Sequence, residues 1–216
     1  MIAKKNNKRR LLGSILIFLF IHSHAVIAQL EPELLFREDW KEIPAETPVT
    51  QKHLQHQKLM LHLYGEAKEQ LKKSHHPEIP NDPFYIWSGT CENNWAMALS
   101  HKNMKFDLSA KESKIVWRSR QSGFRILRII LELRDGTWLI SEQGSAATKD
   151  WETSTFILAD LDWRKLEMNG IYETQPMEKP DLSHVLKVGV TDGMRGGISQ
   201  ASSRLDWIEV HGAPVE

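Results

Sequence analysis

The stretch Arg125-Ile126-Leu127-Arg128-Ile129-Ile130-Leu131-Glu132-Leu133, followed by Arg134-Asp135-Gly136-Thr137 and then Trp138-Leu139-Ile140, decides the fold class. Leu127, Ile129, Leu131 and Leu133 recur with period two and share one face, as in a half-buried strand. Asp135-Gly136 reads as a two-residue type I′ turn, since both residue types accept positive φ at low cost. That turn sets Leu133 against Trp138 and Leu131 against Ile140, all on one side. A helix over 125–133 is the competing reading, and two arms that are both apolar on one face favour the sheet.

Working outward, the same alternation returns. Lys58 to Tyr64 places Leu59, Leu61 and Leu63 on one face and Met60, His62 and Tyr64 on the other. Short strands are expected near Leu34–Phe36, Phe84–Trp87, Trp95–Leu99, Ile115–Arg118, Thr153–Ala159, Trp163–Met168, Val185–Val190 and Ser203–Val210. Turns of the form Asp107-Leu108-Ser109 and Asp181-Leu182-Ser183 precede apolar strands. Residues 37–57, with Pro44 and Pro48, read as a long loop or wrapping arm. Residues 142–152 and 169–180 read as further loops. Asp192-Gly193-Met194-Arg195-Gly196-Gly197 is expected to be a mobile or tightly turned loop; it precedes a strand and not a helix, which excludes a phosphate loop. Ten or eleven short strands without a sustained helical period predict an all-β chain, an antiparallel β-sandwich or barrel.

The N-terminus reads as a targeting segment. Lys4, Lys5, Lys8, Arg9 and Arg10 precede an apolar run from Leu11 to Ile21, too short for a bilayer that needs roughly 20 residues. Val26-Ile27-Ala28 suits cleavage before Gln29; an uncleaved anchor is the alternative. The expected organisation is therefore a signal peptide over 1–28, an N-terminal strand and arm over 29–57, and a β-sandwich domain over 58–216. The implied location is periplasmic or extracellular, without stable membrane insertion after cleavage. Cleavage removes five basic and no acidic residues, leaving 23 basic against 28 acidic, a net charge of −5. That balance argues against a nucleic-acid partner. Cys91 is the only cysteine, so no internal disulfide forms, and it reads as a packed residue more readily than a nucleophile.

The order Asp107-Leu108-Ser109, Lys114-Ile115-Val116-Trp117-Arg118, Arg125–Leu133, Asp160-Leu161-Asp162-Trp163, Asp181-Leu182-Ser183-His184-Val185 and Leu205-Asp206-Trp207-Ile208-Glu209-Val210 resembles the galactose-binding-like jelly roll. By pattern it is similar to the family 11 carbohydrate-binding modules and the assembly-factor domains allied to them, over about residues 105–211. Residues 72–98 also resemble the signature of an uncharacterised exported bacterial family. The first resemblance implies a glycan ligand on a concave sheet face and, often, a calcium ion in a loop elsewhere.

Candidate site residues concentrate in Lys72–Ala98, which holds two adjacent histidines, Pro77, Pro80, Pro83 and several large aromatics. Tyr85, Trp87 and Trp95, with Trp117 and Trp138, suggest a stacking platform for the C–H faces of sugar rings. Trp117, Trp138 and Trp207 sit in apolar strands and read more readily as core than as platform. His75, His76 and Asp82, with Lys72 or Lys73, form a candidate acid–base or hydroxyl-binding cluster. Adjacent histidines in an extended segment point to opposite sides and do not share a metal unless a turn intervenes, and zinc-ligand spacing is absent. Arg118 and Arg120 share a strand face, where a guanidinium fork suits vicinal hydroxyls or carboxylates; Arg125 and Arg128 fall on opposite parities. The one cofactor the residues suggest is a structural calcium ion at Glu38, Asp39, Asp206 and Glu209. No Gly-x-Ser-x-Gly, His-Glu-x-x-His or phosphate-loop motif is present. The reading is an exported carbohydrate-binding protein whose site lies around residues 72–98. The alternatives are a glycan hydrolase or lyase with histidine and carboxylate groups, and a protein-binding partner within an envelope complex.

Overall fold

The computed structural model describes residues 32–193 and 201–215. The expected signal peptide, and the part of the glycine-rich loop from residue 194 onward, lie outside the described residues. No helix among the described residues is long and apolar enough to cross a membrane.

The chain forms β1 (Glu33–Glu38), β2 (Leu59–Tyr64), β3 (Lys72–Ser74), β4 (Tyr85–Trp87), β5 (Ala96–His101), β6 (Lys105–Asp107) and β7 (Lys114–Ser119). It continues with β8 (Leu127–Leu133), β9 (Trp138–Ser145), β10 (Glu152–Ile157), β11 (Trp163–Glu167), β12 (Tyr172–Pro176), β13 (Val185–Thr191) and β14 (Arg204–Val215). All strand pairs are antiparallel. The first layer runs β3-β4-β14-β7-β10, with β1 pairing β14 farther along the edge that β4 occupies. The second layer runs β2-β5-β13-β8-β9-β11-β12. β6 pairs with β13 at Val185 and with the far end of β14, and so joins the layers. The protein is an all-β antiparallel sandwich.

Alternation explains the core between the layers. Ile115, Trp117, Ile208, Val210 and Ile86 point inward from the first layer; Leu59, Met97, Leu99, Val188, Val190, Ile129 and Leu131 point inward from the second. The arm after β1 belongs to the same core, since Trp40, Val49 and Leu54 are buried there. Glu38 ties the arm down. Its fully buried carboxylate accepts from the backbone N–H of Trp40 (2.9 Å), Gln55 (2.7 Å) and His56 (3.0 Å). The two Asp-Leu-Ser turns meet: Leu108 N donates to Leu182 O at 2.9 Å, and each aspartate accepts from the serine N–H two residues on at 2.9 Å.

The β8–β9 hairpin departs from the expected register. Leu133 and Thr137 are bonded to each other, Gly136 N donates back to Leu133 O, and Gly136 has φ +83°. The connection is therefore three residues long, a type I turn closed by a glycine in the left-handed region. The pairs are Leu131↔Leu139, Ile130↔Ile140 and Glu132↔Trp138. A one-residue slip moves a strand's side chains to the other face. Trp138 and Ile140 thus lie outside the main core, in a second cluster with Ile130, Ile171, Leu166 and the half-buried Tyr64. The expected loops at 142–152 and 169–180 are shorter than their polarity suggests: β9 continues to Ser145, and β12 occupies Tyr172–Pro176.

Candidate functional site

The outward face of the first layer gathers the chemistry. Ile86 and Leu205 pair and point inward, so their neighbours Trp87 and Arg204, which also pair, point away from the core. Lys72 pairs Trp87 on its other side. Arg120 N donates to Arg204 O at 3.0 Å, which extends the β7–β14 ladder by one position and puts these two arginines opposite each other. Glu152 pairs Ser119, so Trp151 stands level with Arg120. A row Lys72, Trp87, Arg204, Arg120, Trp151 therefore crosses five strands. Lys72 Nζ lies 5.6 Å from the Trp87 ring centre, and the Trp87 indole lies over Gly89, where a Cβ would come within 2.0 Å of the ring.

A second chain of contacts runs alongside. The segment between β3 and β4 folds back through Ile79 N to His76 O (3.0 Å) and Asp82 N to Ile79 O (3.2 Å), with Asn81 at φ +61°. Asp82 Oδ2 then accepts from His76 N at 2.8 Å and faces His76 Nδ1 at 3.0 Å. The Tyr85 hydroxyl lies 3.2 Å from the same Nδ1. The Tyr85 ring meets Trp151 edge to face at 5.2 Å, and the Arg118 guanidinium lies 5.6 Å from the Trp151 ring centre. Arg118 donates to Asp206 at 2.7 Å. Burial is the main influence on the Asp206 carboxyl and raises its pKa despite this partner.

Several expected site residues are placed differently. Trp95 is 2 % exposed and sits in the core between the layers, so it cannot stack on a ligand. Tyr85 is 3 % exposed; His76 and Trp151 cover its ring, and it offers its hydroxyl to His76 instead of a face to a sugar. Trp117 is core, and Trp138 is on the other layer's outer face. His75 and His76 turn to opposite sides: His75 stacks on Phe84 at 4.0 Å, and its Nδ1 lies 3.2 Å from Asp82 O. Lys73 points inward, fully buried. Arg120 is exposed, whereas Arg125 is buried beside Asp192 and Arg128 pairs Glu173. Cys91 is buried, and that burial pushes its thiol up to about 12, the state of a packed residue and not of a nucleophile.

The four carboxylates proposed for calcium do not fit a hard-cation cage. Glu38 is buried and held by three backbone N–H groups. Arg37 bridges Asp39 and Glu209, each at 2.6 Å, and Asp206 belongs to Arg118. Among the described residues no three His, Cys, Asp or Glu side chains converge on a metal position.

Trp151 and Arg204 are the functional candidates that sequence reasoning missed. Trp151 lies in a segment read as a polar loop, and its one signal was its place two residues before the β-branched run of β10. A separate cavity of about 550 Å³ lies at one end of the sandwich, lined by Leu108, Leu158, Leu161, Trp163, Met177 and Leu182 among others. None of the expected site residues lines it.

No family model and no curated protein matches this chain. Among solved structures, it is similar to the family 11 carbohydrate-binding module of the cellulosomal cellulase Lic26A-Cel5E of Clostridium thermocellum. That pair shares 11 % identity over 86 % of this chain and 96 % of the module, with a TM-score of 0.46. A family 11 module from Clostridium thermocellum in complex with a β-1,3-1,4-mixed-linked tetrasaccharide gives 11 % identity over 86 % and 98 %, with a TM-score of 0.45. The carbohydrate recognition domain of Emp47p gives 12 % identity over 81 % and 97 %, with a TM-score of 0.35.

Proposed function

We propose that this is an exported carbohydrate-binding protein whose ligand lies on the outward face of the first layer, across Trp87, Trp151, Arg118, Arg120 and Arg204. The observation that carries this reading is the row in which two half-buried tryptophans flank an adjacent pair of arginines, with Lys72 beyond Trp87. An indole presents a flat apolar face to the C–H groups of a pyranose ring, and a guanidinium donates in a planar fork to neighbouring hydroxyls. His76, 44 % exposed at its side chain and braced by Asp82, adds a further polar group at the edge. Export is proposed from the basic and apolar N-terminus; N-terminal sequencing of the accumulated protein should read from Gln29. Isothermal titration with mixed-linkage β-1,3-1,4-glucan and a panel of other oligosaccharides tests the binding. Trp151→Ala should weaken the best ligand by about tenfold, roughly one aromatic contact, with little change in thermal midpoint. Undiminished affinity in this variant would refute the placement.

One observation favours an acid–base enzyme as the second reading. Asp82 Oδ2 and the Tyr85 hydroxyl both face His76 Nδ1. In the tautomer that donates to Asp82, Nε2 carries the lone pair of a general base. Reducing-end or unsaturated-product assays on the same panel decide it. If turnover exists, His76→Ala should lower it by about 10²–10⁴-fold; a wild-type protein that releases no product removes this reading.

A further inference from the structure

The charges on the proposed binding face are not evenly balanced. Arg118 is paired with Asp206 at 2.7 Å and Arg37 with both Asp39 and Glu209 at 2.6 Å, while Asp82 faces the His76 imidazole at 3.0 Å. Among the described residues, by contrast, no carboxylate stands within ion-pairing distance of Lys72, Arg120 or Arg204. These three belong to the one transverse row that also holds Trp87 and Trp151. Glu152, the acid next to Trp151, pairs the inward-facing Ser119 and is on the other parity.

Arg120 and Arg204 are directly opposite each other on neighbouring strands, about 5 Å apart at the backbone. Like charges in that position repel and destabilise a sheet unless an anion sits between them. Lys72 repeats the arrangement on the far side of Trp87. Guanidinium forks match carboxylate and sulfate oxygens in two parallel hydrogen bonds, while the flanking indoles suit the apolar faces of the rings that carry those groups.

We infer that the ligand of this face is an acidic glycan, one bearing carboxylate or sulfate groups, with Arg120 and Arg204 as the anion-binding pair and Lys72 as a second cationic position. This rests on the carbohydrate-binding reading above and specifies its ligand class. The net charge of −5 that cleavage of residues 1–28 leaves does not oppose it, because the field at a ligand's surface is set by charges within about a Debye length of 8–10 Å.

The test uses the chain lacking residues 1–28 and matched polymers that differ in charge alone. Polygalacturonate is compared with its fully methyl-esterified form, and dextran sulfate with dextran; poly-glutamate serves as a sugar-free polyanion. The acidic member of at least one pair should bind at least tenfold more tightly at low salt and lose that advantage as sodium chloride rises. It should also raise the thermal midpoint, since it relieves the Arg120–Arg204 repulsion. The pair that responds tells carboxylate from sulfate. Arg120→Gln and Arg204→Gln should each lose roughly tenfold or more for the acidic polymer, the worth of one charge-assisted contact, and little for a neutral one. Both sites reach solvent, and circular dichroism checks that the variants are folded. Equal or tighter binding of the neutral members overturns the acidic assignment and leaves the carbohydrate reading standing. Poly-glutamate bound as tightly as the acidic glycan overturns the assignment in favour of a general polyanion surface. Binding to none of these polymers overturns the acidic assignment, and if the mixed-linkage glucan and oligosaccharide panel also fails to bind, the carbohydrate reading falls with it.

Discussion

Lys73 is the most exposed to test of the single residues, because its amine is fully buried and its Nζ donates to Ile43 O while lying 4.0 Å from the Phe84 ring centre. Burial lowers its pKa from 10.5 to about 8, only partly opposed by Glu42. The folded protein therefore holds fewer protons at this position than the unfolded chain between about pH 8 and 10.5. Stability is expected to rise with pH across that window, with a slope of at most about 1.4 kcal/mol per pH unit from this group. Urea denaturation of wild type and Lys73→Met at pH 7.5 and 9.5 checks this. The wild-type rise should exceed that of the variant, and parallel curves would show that the amine is solvated. Nothing in the Lys72-Lys73 dipeptide says which lysine is inside. The pairing of Lys73 with the inward Ile86 decides it, and the same alternation sends Lys72 to the outward face of the first layer.

At the scale of the element, alternation was legible and turn length was not. The apolar face of β8 and that of β2 are where their sequences put them. Asp-Gly suits a two-residue turn and a three-residue turn alike, because both need a residue at positive φ. The choice fell to the wider register, in which Leu131 pairs Leu139 and both are buried. Asp135 supports it by accepting from Thr137 N at 2.9 Å. A Cβ on Gly136 meets nothing within 4 Å, so Gly136→Ala tests the left-handed backbone alone. It should cost about 1–2 kcal/mol in urea denaturation with an unchanged m-value. A neutral effect would mean that the turn relaxes into another type.

Across the whole molecule, the end of the sandwich where β13 runs into Asp192 is held by buried charge. Arg125 and Asp192 approach to 3.2 Å with side chains 3 % and 0 % exposed, and Ser203 Oγ donates to Asp192 at 3.0 Å. The Ser88 hydroxyl lies at 3.5 Å from the same carboxylate. These residues come from the β7–β8 connection, the end of β13, the approach to β14 and the segment after β4, so the cluster joins both layers. Arg125→Ala should destabilise by about 3–5 kcal/mol, since it leaves a buried carboxylate without its adjacent cation; a shift under about 1 kcal/mol in chemical denaturation would contradict a structural role for the pair. By itself the sequence determined the all-β class and the positions of most strands, because period-two burial and turn residues are local properties of the chain. Only the tertiary structure decided that Trp95 is core, that the calcium candidates are already partnered, and that Trp151 and Arg204 stand beside Trp87 and Arg120. Those outcomes depend on which strands become neighbours, and β4, β14, β7 and β10 are brought together by contacts between residues far apart in the chain.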